Sequence, residues 1–319
     1  MELAGRSYIL DTGIVPDKPY ALDAVHSIRA VKPPPLIILD DENTTAIPRT
    51  DVMMALSGPE PYDLYADLVV FHSFLTDRPL STTEPVYFQC SRTYLFAERT
   101  KKALYDDAEI ESIDSKGINF DHFPVAINVG MRPVFRYISY RNAFSVFLNL
   151  KRKFATKNIR SQNKRLYDQI HLWEYARNFI TTSRIYSNDY FPVALSMTIL
   201  ESLIGRPKKC TYHAKCPVCK NRIDHDAVTW SKHFRINNIR RIPSHNIKII
   251  STIRNEVYHN GNLFDLFEEF DKVMGIRAEQ ANKKDRDHLD NVQSIQDDII
   301  QISRRKLLHE FLRQCSNAK

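Results

Sequence analysis

The sequence predicts an α+β protein: a mixed α/β domain over residues 1–150, a basic linker over 151–165, and an all-helical domain over 166–319 with a small Cys/His-rich insertion at 206–228. Three observations predict it. Short β-branched and aromatic runs, separated by prolines, fill the first half. From about residue 163 the apolar period changes to that of a helix. Three of the five cysteines fall between 210 and 219, inside the otherwise helical half.

In the first half, strands are expected at Ser7–Val15, Pro35–Leu39, Pro85–Gln89, Thr93–Phe96, Phe123–Val129 and Val134–Tyr140, and helices at Ala21–Val31, Arg49–Leu56 and Arg99–Asp106. The seam is Lys151–Arg165, with seven basic residues and no acid. Such a run is a solvated linker or an arm that lies on a polyanion, and the linker is the simpler reading. Beyond it, Leu166, Ile170 and Trp173 recur at helical spacing, with Leu172, Ala176 and Phe179 alongside. Asp189 can cap the next helix and Pro192 fits its first turn. That helix is apolar nearly all round from Ala194 to Ile204, which predicts a central position, and Gly205 ends it. Further helices are expected over Ser244–Asn260, Leu263–Met274 and about Asp285–Arg313.

Composition narrows the function classes. The 319 residues suffice for two domains, each with its own core. Apolar runs such as Leu68–Phe71 and Ile247–Ile253 fall far short of the ~20 residues that span a bilayer. Met1–Asp11 has acidic residues and no hydrophobic signal core, which argues against secretion. An odd cysteine count, clustered, argues for a reducing cytoplasm over a disulfide framework. The eight glycines are never closer than eight residues, so neither a Walker loop nor a dinucleotide-binding turn fits. Charge is uneven: 14 Lys+Arg against 20 Asp+Glu in residues 1–150, 21 against 7 in 151–260, and 10 against 11 in 261–319. A net +14 concentrated in the middle third draws polyanions, nucleic acid ahead of a membrane because no amphipathic anchor accompanies it.

Within that basic third lies Arg254-Asn255-Glu256-Val257-Tyr258-His259, closed by Asn260-Gly261 at a predicted helix end. Cleaving RNA without a metal needs a base for the 2′-OH proton, an acid for the leaving 5′-oxygen and cations on the phosphate. Histidine titrates near neutrality and serves either proton role, its charged form favoured at a helix C-terminus. Arginine grips phosphate oxygens in pairs, and Asn255 can hold a phosphate oxygen or orient His259. On a wheel of about 100° per residue, Ile249, Ile250, Ile253 and Val257 form the buried stripe, while Arg254 and His259 stand about 140° apart. One regular helix therefore cannot aim both at one phosphate. The bland alternative is that Arg254 pairs with a core carboxylate and His259 merely ends the helix. Glu201, the one charge in its helix, is either the buried partner that orients Arg254 or a helix-end residue open to water.

The spacing Arg-Asn-x-x-x-His at a helix end resembles the R-x4-6-H motif of HEPN ribonucleases, in the version with Asn after Arg. Taken with the apolar helix ending Leu200-Glu201-Ser202-Leu203-Ile204-Gly205, it resembles the Apea-like branch of that superfamily over roughly residues 163–315. The resemblance implies a HEPN-like bundle and a homodimer in which two motifs face one cleft. It also implies cleavage leaving a 2′,3′-cyclic phosphate or 3′-phosphate and a 5′-hydroxyl, and a role as a toxin or antiviral defence effector. One subclass carries a modifiable tyrosine two residues after the histidine; Gly261 stands there, so that regulation does not carry over. The pieces 94–104, 118–120 and 123–127 resemble N-terminal parts of toxin-immunity-type proteins, implying a recognition domain for a phage or toxin/antitoxin protein.

The insertion reads Cys210-x2-His213-x2-Cys216-Pro-Val-Cys219, with His225 following. Cys-Pro-x-Cys presents two thiolates to one Zn²⁺, and a Cys3His set makes a structural site; the fourth ligand is His213 or His225. The alternative is surface thiols in a basic loop. Cys90 and Cys315 read as ordinary thiols. No acidic general base accompanies the ligands, which argues against catalytic zinc. Lys208, Lys209, Lys215, Lys220 and Arg222 surround the cluster, and Lys208 and Lys209 with Arg240 and Arg241 are the candidate RNA contacts. The main rival to a ribonuclease is a non-catalytic RNA-binding or toxin-neutralising protein; a third reading is a zinc-dependent enzyme.

Overall fold

The computed structural model describes residues 6–10, 12–32, 37–38, 45–46, 52–59, 62–77, 116–129, 132–152, 162–182, 191–207, 214–215, 222–223, 228–237, 239, 247, 250 and 281–317. Helices and small antiparallel sheets make an α+β chain. It divides into two compact units, Met1–Tyr167 with Glu310–Lys319, and Asp168–His309. The expected seam was 151–165; of those residues, Lys151 and Arg152 end one helix and 162–165 begin the next.

The first unit holds a four-stranded antiparallel sheet in the order β1-β6-β3-β2, from β1 (Arg6–Leu10), β2 (Tyr20–Ala21), β3 (Ser27–Val31) and β6 (Met53–Gly58). A separate pair joins β4 (Ile37–Ile38) to β5 (Thr45–Ala46). Two expectations are corrected here, since Ala21–Val31 and Arg49–Leu56 read as helices but β2–β3 and β6 occupy that sequence. In the first, the Asp23 carboxylate accepts the backbone N–H of Val25 at 2.8 Å and of His26 at 2.7 Å, and Leu22 N–H reaches His26 O at 2.9 Å. That local turn reverses the chain where a helix would have continued. In the second, Met53, Met54, Ala55 and Leu56 are fully buried between two neighbouring strands, so pairing overrides their helical propensity.

Two glycines allow close approach. A Cβ on Gly58, at φ +156°, would meet His26 Cδ2 at 2.3 Å. One on Gly117 would meet the Val15 and Pro16 carbonyl oxygens at 2.5 Å, where Ile118 N–H donates to Val15 O at 2.9 Å.

Helix α1 (Tyr62–Thr76) follows the sheet, and after a 3-10 turn at Phe120–His122 comes the hairpin of β7 (Phe123–Val129) and β8 (Arg132–Ile138). Period-2 burial of Phe123, Val125 and Ile127 fits β7 as expected. The expected strand Val134–Tyr140 stops at Ile138, because Ser139 caps α2 (Tyr140–Arg152): Ala143 N–H reaches Ser139 O at 3.0 Å. Aromatic rings fill the core, with Phe71 5.1 Å from Tyr140 and Phe144, 5.5 Å from Phe147 and 6.1 Å from Phe311. Tyr140 hydroxyl pairs with His72 Nδ1 at 3.0 Å, and burial holds its pKa well above the usual phenol range. The Asp67 carboxylate accepts from Lys151 Nζ at 2.7 Å and from Tyr167 Oη at 2.6 Å, which ties α1 to α2 and to the start of α3 (Gln162–Thr182).

The second unit contains most of α3 and α6 (Ala281–Asn317), all of α4 (Phe191–Ile204) and α5 (Trp230–Ile236), and a small hairpin, β9 (Ala214–Lys215) with β10 (Arg222–Ile223). Ile170, Trp173 and Ala176 of α3 are fully buried, three residues apart, and Trp173 Nε1 donates to Ile300 O at 3.2 Å. Residues 192–197, 199 and 200 of α4 are buried, as its all-round apolar sequence requires. Gly205 then takes φ +75° and its N–H closes on Glu201 O at 2.9 Å, a left-handed stop that suits glycine. Val193, Met197 and Leu200 of α4 share one core with Phe234, Ile239, Ile247, Ile250, Ile299 and Ile302. Ser303 Oγ of α6 reaches Ser196 O at 3.2 Å across the same contact.

Candidate functional site

The site is approached from its described flank. Ile247 and Ile250 are helical and 2% and 0% exposed, both packed into the core that α4, α5 and α6 build. They belong to the helix expected over Ser244–Asn260, and Ile250 is a member of the stripe expected to face the bundle. Arg254, Asn255 and His259 themselves lie outside the described residues, as do Lys208, Lys209, Arg240 and Arg241. The expected helix Leu263–Met274 lies outside them too.

Glu201 is among the described residues. It stands in the last turn of α4, beside the core residue Leu200, with its side chain 9% exposed. Its Oε2 accepts from Arg206 Nε at 2.9 Å, while the Arg206 side chain is 67% exposed. An ion pair with one partner in solvent contributes little to stability, yet a nearly buried carboxylate keeps a strong demand for cations. The end of α4 also gathers a histidine: His233 of α5 pairs through Nε2 with Gly205 O at 2.9 Å. A carbonyl only accepts, so Nε2 carries the proton. Trp230 lies edge-on to His233 at 5.6 Å and holds the ring from one side.

Sequence reading singled out neither Arg206 nor His233. The available signal for Arg206 was its place directly after the helix-ending Gly205, five residues from the lone helix carboxylate. For His233 it was Thr229, whose Oγ accepts Lys232 N–H at 3.3 Å and starts α5. Lys306 Nζ then donates to Asn237 O at 2.6 Å at the other end of that helix, and burial lowers its pKa.

The Cys/His-rich insertion is bracketed by the β9–β10 hairpin, where Lys215 pairs with Arg222 and Ala214 with Ile223. Cys216 and Cys219 fall in the six residues between those strands; Cys210 and His213 precede β9 and His225 follows β10. All five candidate ligands lie outside the described residues. Among the described residues no group of three or more His, Cys, Asp or Glu is placed to hold a metal. Cys315, in α6, is a partly buried thiol whose pKa burial pushes up to about 12, so it carries no thiolate chemistry near neutral pH. No described helix is long and apolar enough to cross a membrane. Comparison with protein-family models, curated proteins and solved structures finds no match to this chain.

Proposed function

We propose that the protein is a metal-independent endoribonuclease of HEPN type, acting as a homodimer in which Arg254 and His259 of two chains share one cleft. The observation that carries the proposal is the Arg254-Asn255-x3-His259 motif at the expected end of the helix over Ser244–Asn260, of which Ile247 and Ile250 are helical and built into the core of the second unit. Arg254 follows Ile250 by four residues and Ile247 by seven. A regular helix continued from those two, at about 100° per residue, brings Arg254 onto their side and His259 away from it. Glu201, nearly buried at the end of α4, then supplies the carboxylate that orients Arg254, with Arg206 as its solvent-side partner.

In this reading the His259 of one chain takes the 2′-OH proton and returns one to the leaving 5′-oxygen, acting beside the Arg254 of the other chain. Arg254 neutralises the phosphate as its oxygens crowd, and Asn255 orients the imidazole or a phosphate oxygen. Lys208, Lys209, Arg240 and Arg241 hold the RNA backbone. Zinc, bound by Cys216 and Cys219 with two of Cys210, His213 and His225, fixes the insertion and takes no part in the reaction. The N-terminal unit serves as the recognition domain, and release of the nuclease makes the protein a toxin or antiviral effector acting in the cytoplasm of the producing cell.

The test uses purified protein with chelator present and three labelled substrates: RNA, the same RNA with 2′-O-methyl groups, and DNA of the same sequence. Cleavage of the first alone is expected, since the nucleophile is the 2′-OH. Equal cleavage of DNA would overturn the mechanism.

A further inference from the structure

Strand β8 carries its large side chains outward. Val134, Phe135 and Tyr137 are 49%, 53% and 56% exposed, whereas its partner β7 buries Phe123, Val125 and Ile127. The register pairs Phe135 with Ala126 and Tyr137 with Pro124. Directly opposed residues share a face, so Phe135 and Tyr137 stand together on the side of the hairpin turned away from the buried β7 side chains. Tyr137 is already half of a stack: its ring lies on His122 with centroids 4.0 Å apart and planes 5° from parallel. Phe135 and Tyr137 are two residues apart, about 7 Å along the strand. Successive nucleotides of a stacked strand rise about 3.4 Å each, so two of them span that distance.

Charge agrees with the geometry. Residues 1–115 hold 10 Lys+Arg against 19 Asp+Glu, but residues 116–152 hold six against one, Asp121. Lys151 is engaged by Asp67, which leaves Arg136 and Arg141, both exposed, among the basic groups of this segment. The positive excess of the chain thus begins at the β7–β8 hairpin. Arg136, opposite Val125, alternates onto the other face, so this face offers flat rings within a basic segment, which suits single-stranded nucleic acid, where bases stack and phosphates find cations. A peptide added at the edge of β8 is less well served, because Pro133 removes a backbone donor from the strand.

We propose that the Phe135, Tyr137 and His122 face of the β7–β8 hairpin is a stacking platform for single-stranded RNA, set within the basic segment 116–152. The choice of RNA rests on the ribonuclease reading. The experiment measures binding of the full chain to a short, fluorescent, fully 2′-O-methylated oligoadenylate, which this chemistry cannot cut. Joint replacement Phe135→Ala with Tyr137→Ala is expected to weaken binding about tenfold or more. Phe135→Trp is expected to retain it, and so is Arg136→Gln, which alters the other face of the hairpin. All three residues are exposed, and an unchanged melting temperature shows that each variant is folded.

An affinity within about twofold of wild type for the double alanine variant would overturn the platform. So would displacement of the oligonucleotide by poly-glutamate at equal charge, which would mark the face as a surface for acidic protein. A chain that binds in the expected way but never cuts unmodified RNA would overturn the nuclease reading and leave the platform standing.

Discussion

Asp23 shows how much one side chain decides. Its carboxylate takes two backbone N–H groups and the His26 ring, with Nδ1 at 2.8 Å, while His26 Nε2 reaches Pro59 O at 3.1 Å. Burial pushes the Asp23 pKa up, but the hydrogen bonds from Val25 and His26 outweigh it and hold the carboxyl below its ordinary value. A depressed folded-state pKa means that the unfolded chain binds the proton more tightly. The stabilisation is therefore present above the ordinary aspartate pKa of about 3.9 and is lost as pH falls through the lower folded value. Thermal melts of wild type and Asp23→Ala should differ at pH 7, and the gap should shrink below about pH 4. A constant gap down to pH 2 would contradict the turn's role. The same turn explains why the helix expected over Ala21–Val31 was misread: the apolar spacing permits a helix, but a carboxylate placed to cap its own turn competes for the backbone.

At the scale of elements, legibility followed how each segment is buried. β7 was readable because one face is buried and the other is not, so its period of two shows in the sequence. α4 was readable because a run from Ala194 to Ile204 with one charge has no other home than a core, and Gly205 supplied its stop. α1 was not identified: its buried and exposed residues lack the striping that reveals a helix lying on a surface. β6 is hidden for the same reason, since a strand buried on both sides has no alternation, and Met-Met-Ala-Leu favours a helix by propensity. The motif helix is testable here. Ile250 is fully buried in the second unit's core, so Ile250→Ala should cost about 2–5 kcal/mol by denaturant melting. A cost under about 1 kcal/mol would place that residue outside a packed core. The β9–β10 hairpin carries the other element-scale prediction. Elemental analysis of protein purified without chelator should find one zinc per chain, and Cys216→Ser should lower both metal content and melting temperature, because metal binding and folding are coupled. Metal-free protein with an unchanged melting temperature would remove the zinc site.

For the whole molecule, the proposed chemistry rests on the sequence motif, and the structure describes part of the unit that would carry it. The α+β character is in place, and among the described residues α3, α4, α5 and α6 are helical; Arg206, paired with Glu201, and His233 stand at the end of α4, where no expectation placed them. His233 comes from a different element and no linear spacing joins it to Glu201, whereas Arg206 stands five residues after Glu201, just past the helix stop. The central claim is that Arg254 and His259 act together across two chains, motivated by their separation of about 140° on one helix. In the proposal, two-fold symmetry would bring both to one phosphate with a single gene product. The most direct measurement is cleavage of end-labelled RNA by Arg254→Ala protein, by His259→Ala protein, and by the two mixed and co-refolded. The account predicts that each variant alone is inactive, that the mixture regains part of the wild-type rate, and that the products carry a 2′,3′-cyclic phosphate or 3′-phosphate and a 5′-hydroxyl. Full activity of His259→Ala alone, or of a wild-type chain that light scattering shows to be strictly monomeric, would contradict it.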